Sequence, residues 1–361
     1  MIVESIELKN YRNYETLNMK FDSKTNIIYG DNAQGKTNIL EALYVCATTR
    51  SHKGSKDKEI ISFESEEAHI KVIVIKNGIN YRIDMHLKKN KSKGIAVNGI
   101  PIKKAVDLFG IFNIVFFSPE DLNIIKDGPS ERRRFIDMEL CQLDKIYLYN
   151  LVNYNKVLVQ RSKLLKDLGF DKKNMETLDI WDIQLVKFGK ELIQRRIEFI
   201  NQINSIIYDI HKKLSGKKEN LVIKYIPSVS EEDFEKTIFI SRERDIKYKV
   251  TSFGPHKDDI SFYINSHDVR KYGSQGQQRT CALSLKLAEI ELVKQIIHDT
   301  PILLLDDVLS ELDSSRQNFL LNSIGDIQTI VTCTGLDEFI NNRFNINKIY
   351  KVIEGQVSFE N

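Results

Sequence analysis

The spacing of apolar and polar positions changes period twice along the chain. Over the first 117 residues it is mostly that of strands. Ile2–Leu8 and Thr25–Tyr29 are short β-rich runs. Ile70–Lys76 and Ile79–Leu87 are apolar, β-branched segments separated only by Asn77-Gly78. Asn-Gly supplies the positive φ that a type I′ turn needs at both central positions, so this pair predicts a two-residue hairpin. Asn98-Gly99 repeats the signal, and Ile111–Phe117 is a last buried run before Ser118-Pro119. One helix-like run, Asn38–Val45, interrupts the strands.

From Pro129 to Lys166 the period becomes helical, with no Gly and no further Pro. Phe135, Met138, Leu140, Ile146, Leu148, Leu151 and Val152 mark the apolar face. Asp127 or Gly128 can cap this stretch, and Pro129 suits a first helical turn. After a break at Gly169–Lys173, a second helical stretch runs from Met175 to Leu214, weakened at Gly189. Two helices of roughly 35–40 residues joined by a short break predict an antiparallel hairpin about 50–60 Å long. The β pattern returns at Leu221. Asp259–Ile264 reads as a strand, Gln277–His298 as an amphipathic helix stopped by Pro301, and Ile302–Leu305 as a central parallel strand. Gln328–Val331 and Ile349–Ile353 are further short strands. The pattern predicts an α/β domain built from both chain ends, residues 1–117 and 246–361, around an inserted, mainly helical lobe at 118–245.

Composition changes this picture little. A chain of 361 residues with 42% hydrophobic and 29% charged residues suits a globular protein of more than one core. No run approaches the ~20 apolar residues of a membrane helix. The start, Met1-Ile2-Val3-Glu4, is not a cationic and apolar leader. Cys46, Cys141, Cys281 and Cys333 form no C-x-x-C pair, and buried, reduced thiols in a cytoplasmic protein are expected. The net charge of +3 does not by itself announce nucleic acid. Three local basic clusters stand out: Lys88, Lys89, Lys91 and Lys93; Arg132, Arg133 and Arg134; Lys212, Lys213, Lys217 and Lys218. A lysine run is usually a solvated turn.

The chemistry is more specific. Gly30-Asp31-Asn32-Ala33-Gln34-Gly35-Lys36-Thr37 is a complete G-x-x-x-x-G-K-[ST] loop, fed by the strand Asn26–Tyr29 and followed by a helix beginning near Asn38. Its glycines let backbone N–H groups curl around a phosphate, and the helix that leaves it aims a positive end at the anion. Lys36 is placed for the β- and γ-phosphates of ATP, and Thr37 for Mg²⁺. Ile302–Leu305 followed by Asp306-Asp307 is a Walker B segment, with Asp306 for the metal and Asp307 to orient or deprotonate the attacking water. Ser310-Glu311-Leu312-Asp313 follows as a D-loop. Gly273-Ser274-Gln275-Gly276-Gln277 lies just ahead of the preceding helix, where ATPases of the ABC type carry their signature. Its Ser274, Gln275 and Gly276 either meet a γ-phosphate or simply cap the helix.

More than 230 residues separate Thr37 from Gly273, far more than in a transporter subunit, and the helical lobe fills the gap. SMC-type heads are built this way, but with arms of hundreds of residues. Leu8–Tyr14, the loop ending Gly35–Asn38 with Leu40-Glu41-Ala42, Arg50–Lys53, Phe117–Leu122, Gly128–Asp137, Gly254–Asp259 and Leu304–Asp313 together resemble the RecF family of SMC-type and ABC-type ATPases. The likeness covers nearly the whole chain. It implies a recombination mediator of DNA repair and replication that binds ATP and duplex or gapped DNA and dimerises on ATP. It also implies action with RecO and RecR in loading RecA, and a part in SOS induction. Ser274 of one copy would then face the nucleotide of another. His256-Lys257 departs from the family's His-Arg, and no transporter-type switch histidine follows Walker B. Arg132, Arg133 and Arg134 are candidates for DNA, or for i,i+3 and i,i+4 pairing with Glu131 and Asp137. His256 either orders its loop or touches nucleotide.

Three other readings fit less well. A transporter ATPase would place its motifs closer together. A nuclease of the overcoming-lysogenisation type needs a cleavage domain after Asp313, where fewer than fifty residues remain. A purely structural SMC-like tether needs a longer insert.

Overall fold

In the strand Glu67–Lys76, Ala68, Ile70, Val72 and Val74 are buried while Glu67 and His69 face outward. This alternation makes one face of an antiparallel sheet a core face. In the computed structural model, which describes residues 1–167, 172–336 and 346–360, six strands form that sheet. Their order is Tyr14–Lys20, Ile2–Tyr11, Glu67–Lys76, Ile79–Lys88, Lys91–Val97, Ile100–Ile102. Both Asn-Gly pairs are two-residue turns: Lys76 pairs with Ile79 around Asn77 (φ 52°) and Gly78 (φ 75°), and Val97 with Ile100 around Asn98 and Gly99.

A second six-stranded sheet carries the order Gln356–Glu360, Lys348–Ile353, Thr25–Tyr29, Thr329–Cys333, Ile302–Asp306, Ile114–Phe117. All its neighbours are parallel except the first pair. Ile302–Asp306 is buried along its whole length between two parallel partners, which is why its sequence does not alternate. Gln328 joins the two sheets: its amide nitrogen donates to the carbonyls of Val3 (2.8 Å) and Asp22 (2.7 Å), and its oxygen accepts from the Val3 N–H (2.6 Å).

Residues 1–121 with 289–361 pack as one unit and residues 122–288 as another. Residues 246–288, assigned by period to the C-terminal ATPase part, thus belong with the insert. The reason is strand pairing: Asp259–Ile264 takes Leu221–Ile226 on one side and His267–Asp268 on the other, a three-stranded sheet within the second unit.

The first helical stretch is not continuous. Pro129–Leu143 and Lys145–Asp167 are separate helices, broken at Asp144 (φ −134°, ψ 106°). The Asp144 carboxylate accepts from the N–H groups of Ile146 (2.7 Å) and Tyr147 (3.1 Å) and so starts the second helix. Of the expected break at 169–173, residues 169–171 lie outside the described residues, and Lys172 already opens a helix of 43 residues ending at Leu214. Gly189 does not interrupt it. A Cβ there would stand 2.4 Å from Phe234 and 3.1 Å from Tyr154, so glycine permits the close packing of this helix. Arginine–carboxylate clusters cross-link the unit. Arg161, fully buried, donates to Asp182 (2.6 Å), Asp245 (2.8 Å) and Thr251 (2.8 Å). Arg196 donates to the Tyr147 hydroxyl, Asp137 and the Pro255 carbonyl. The four cysteines are buried and unbridged.

Candidate nucleotide site

The loop Gly30–Gly35 turns at the carboxyl end of Thr25–Tyr29, in the midst of the parallel sheet. Its path needs positive φ at Gly30 (152°), Ala33 (65°) and Gly35 (111°). Space is tight at both glycines as well, and at Gly30 the obstacle is backbone. A Cβ on Gly30 would lie 2.3 Å from the Val352 carbonyl oxygen, and one on Gly35 within 2.9 Å of Asn13 and Tyr14 side chains. The helix Lys36–Thr48 follows directly. Lys36 is 7% exposed and folds its ammonium back into the loop, donating to the carbonyls of Gly30 (2.6 Å) and Asp31 (2.8 Å). Burial pulls its pKa below the usual lysine value, while Asp307, Asp306 and Asp31 favour its charged form. Asp31, Asn32 and Ala33 are exposed at the rim.

The register Asp306↔Thr332 and Cys333↔Tyr29 aligns three strand ends beside the loop. Thr37 and Thr332 both donate to Oδ1 of Asp306, at 2.8 and 2.7 Å. Asp307 turns away in a left-handed conformation (φ 52°), its N–H on the Thr332 hydroxyl (3.1 Å). Two adjacent pairs far apart in sequence, Lys36-Thr37 and Asp306-Asp307, thus meet at one corner: Thr37 bonds Asp306, and both aspartates act on the Lys36 charge. Asp313 caps the helix Ser314–Ile324 by accepting from the Arg316 N–H.

Further side chains belong to this corner, and the pattern of apolar positions gave no sign of them. Asn13 accepts from Asn38 (2.8 Å) and donates to the Gln34 carbonyl (3.0 Å), and the Tyr14 hydroxyl donates to the Gly35 carbonyl (3.1 Å). Arg12 forms a bidentate pair with buried Glu41 at 2.8 and 2.7 Å. Burial pushes the Glu41 pKa up, but the hydrogen bonds from Arg12 and Ser51 outweigh it and hold the carboxyl below its ordinary value. Their sequence signal lay in the stretches Leu8–Tyr14, Gly35–Asn38 with Leu40-Glu41-Ala42, and Arg50–Lys53.

In the second unit, Ser274 begins the helix Gln275–Ile297 through a reciprocal box: the Ser274 N–H donates to Oε1 of Gln277 (2.9 Å), and the Ser274 hydroxyl accepts from the Gln277 N–H (3.2 Å). Gln275 and Gly276 are exposed, and as the first two helical residues their N–H groups have no intrahelical acceptor. A chain of bonds anchors the box. Gln277 Nε2 donates to Glu219 (2.8 Å), Glu219 meets His211 Nε2 (3.1 Å), and His211 Nδ1 meets Ser284 (2.9 Å). His211 is fully buried, which lowers its pKa despite Glu219.

The basic run is where expectation and structure part. Arg132 is 2% exposed and clasps Asp259 at 2.6 and 2.9 Å, with a further bond to the Asp127 carbonyl. It ties helix to strand. Arg133 is half-buried and donates to the Asp258 carbonyl (2.7 Å). Arg134 alone is exposed, 3.8 Å from Glu131 at i,i+3 spacing, and Asp137 pairs with Arg196 instead. His256 is locked in its loop between the Tyr154 hydroxyl (2.7 Å) and the Thr251 carbonyl (3.1 Å), and burial lowers its pKa to about 4.

The family described as RecF/RecN/SMC N terminal domain matches residues 2–358. The DNA replication and repair protein RecF of Lachnospira eligens is 71% identical over the full length of both chains, and that of Lachnoclostridium phytofermentans 66% identical over 99% of each. The solved structure of the recombination mediator protein RecF with ATP in the RecFOR pathway superposes with a TM-score of 0.92 at 34% identity, covering 100% of this chain and 98% of that one. An SMC head bound to the C-terminal winged-helix domain of ScpA, at 18% identity and a TM-score of 0.58, shares the fold.

Proposed function

We propose, for a chain that belongs to the RecF/RecN/SMC N terminal domain family and within it to the RecF proteins of DNA replication and repair, an ATP-dependent, DNA-binding recombination mediator working in the cytoplasm. The observation that carries this reading is the convergence of Lys36, Thr37, Asp306 and Asp307 at one strand-end corner, in a chain that matches RecF proteins from end to end. Among the described residues no helix is long and apolar enough to cross a membrane.

The loop amides and Lys36 would hold the β- and γ-phosphates of ATP. Thr37 Oγ1 and Asp306 Oδ1 are hard oxygen donors 2.8 Å apart, a donor set that suits Mg²⁺ beside phosphate oxygens. These two would hold the ion, which when bound would neutralise phosphate charge. Asp307 would orient the attacking water. The exposed first turn at Ser274-Gln275-Gly276 is a set of donors at a positive helix end, complementary to a γ-phosphate on a second copy of the chain. ATP would then join two copies around two such sites related by a two-fold axis. The ATPase would be slow and stimulated by DNA, and hydrolysis would release the pair. DNA binding would be to duplex and gapped substrates through phosphates, with RecR and RecO as protein partners and RecA loading as the outcome.

Sedimentation with ATP, ADP or neither tests the switch. Dimers are expected with ATP alone, and Ser274→Arg should bind nucleotide yet stay monomeric. An ATP-loaded monomer that hydrolyses normally would remove the shared-site reading. Absence of duplex binding with ATP and Mg²⁺ would remove the DNA reading.

A further inference from the structure

On the outward face of the antiparallel sheet, away from the nucleotide corner, three metal-binding side chains converge. Ala68 and Ile70 point into the core, so Glu67, His69 and Lys71 share the outer face of their strand. Strand register sets His69 directly opposite His86 and Glu67 opposite Lys88. The two imidazoles stack with centroids 4.0 Å apart and 23° between their planes. Both turn Nε2 toward one carboxylate: His86 Nε2 lies 2.9 Å from Oε2 of Glu67, and His69 Nε2 lies 3.7 Å from Oε1. A ligand atom from each of the three falls within 4.8 Å of the others. We propose that Glu67, His69 and His86 form a site for a divalent transition-metal ion of the zinc class, held by two imidazole nitrogens and a carboxylate oxygen, with a further coordination position open to solvent.

The chemistry selects that class. Two imidazoles and a carboxylate are ligands zinc takes when it keeps an open position, whereas Mg²⁺ and Ca²⁺ prefer oxygen alone. The scaffold favours preorganisation. The two strands form one hairpin closed by the tight Asn77-Gly78 turn, so their separation is fixed by the ladder and only exposed side chains need adjust. Space is present as well. The next residue in register beyond His86 is Gly94, which puts no side chain on that flank. His69 and His86 line a groove together with Lys9 and Lys71, so the open position is reachable. The competing cation is Lys88, 3.6 Å from Glu67, and an exposed pair of this kind is weak enough for a dication to displace.

The test uses the full chain, titrated with Zn²⁺ against a chromophoric chelator and with Co²⁺ by visible absorption. One ion per chain is expected, with a Co²⁺ spectrum of low-coordinate nitrogen and oxygen ligation. His69→Gln and His86→Gln, which keep exposed polar side chains, should each weaken binding by more than the ~10–100-fold that loss of an outer-sphere partner costs. Glu67→Gln should weaken it by about tenfold or more on the same scale. All three should bind ATP like the parent, which shows that the fold is kept. No saturable binding by the parent chain, or stoichiometric binding that survives in the His69→Gln/His86→Gln double variant, would overturn the site.

Discussion

The phosphate-loop corner and the basic run that opens the insert carry equally conspicuous sequence motifs, and their polar groups are used in opposite ways. At the corner, Lys36 bonds backbone carbonyls of its own loop, and Asp306 holds the hydroxyls of Thr37 and Thr332 beside it. In the run, Arg132 is spent on Asp259 and Arg133 on a carbonyl, and only Arg134 is left at the surface. The difference teaches that a motif resting on backbone shape declares its purpose, whereas a run of charges takes its purpose from whatever packs against it.

The largest expected effect probes the corner. Asp307→Asn should keep ATP affinity within a few-fold and slow hydrolysis by roughly 10²–10⁴-fold, the usual worth of a positioned base. Phosphate release beside equilibrium binding measures both, and turnover at the parental rate would move the catalytic role to another residue. Next, Lys36→Met should weaken ATP binding by about 100-fold, the loss of strong charge-assisted bonds, with an unchanged circular dichroism spectrum. Parental affinity in that variant would mean that the loop is only a turn.

The run gives the contrasting result. Arg132→Ala should destabilise the protein by about 3 kcal/mol in chemical denaturation, because it leaves Asp259 without its partner. Arg134→Ala should change stability by no more than about 0.5 kcal/mol. If the run meets DNA at all, Arg134→Ala is the variant that lowers affinity and reduces the salt slope by about 1. Equal stability of the two variants would erase the distinction drawn here between them.

A smaller effect comes from His256, near the same run. Its bonds suit a neutral ring that accepts from Tyr154 at Nδ1 and donates to Thr251 from Nε2. The folded pKa is about 4 against an ordinary value of 6.5. Between those values the unfolded chain binds more protons than the folded one, so stability falls as pH drops through that window. The contribution is on the order of 3 kcal/mol, and His256→Gln should flatten this part of the stability profile. An unchanged slope in that variant would assign the acid sensitivity to other groups, among them His211.

Much of the candidate site is legible in the sequence. The glycines of the loop, the lysine and threonine at its end, the all-apolar strand closing in two aspartates, and the serine at a helix start are each dictated by local chemistry. So were both Asn-Gly turns, since positive φ at two successive residues admits few sequences. The insert was less legible. Its period announced helices but not the break at Asp144, where one carboxylate outbids helix continuation by capping the next helix. Gly189 looked like a weakness until Phe234 proved to fill its place. Nor could spacing show that residues 246–288 pair their strand with Leu221–Ile226, or that Arg132 is buried. The sequence by itself determined what depends on neighbours along the chain: turns, caps, the phosphate loop and the period of each element. Tertiary structure decided partners across the chain, because burial and pairing depend on which distant carboxylate, hydroxyl or aromatic ring arrives beside a side chain.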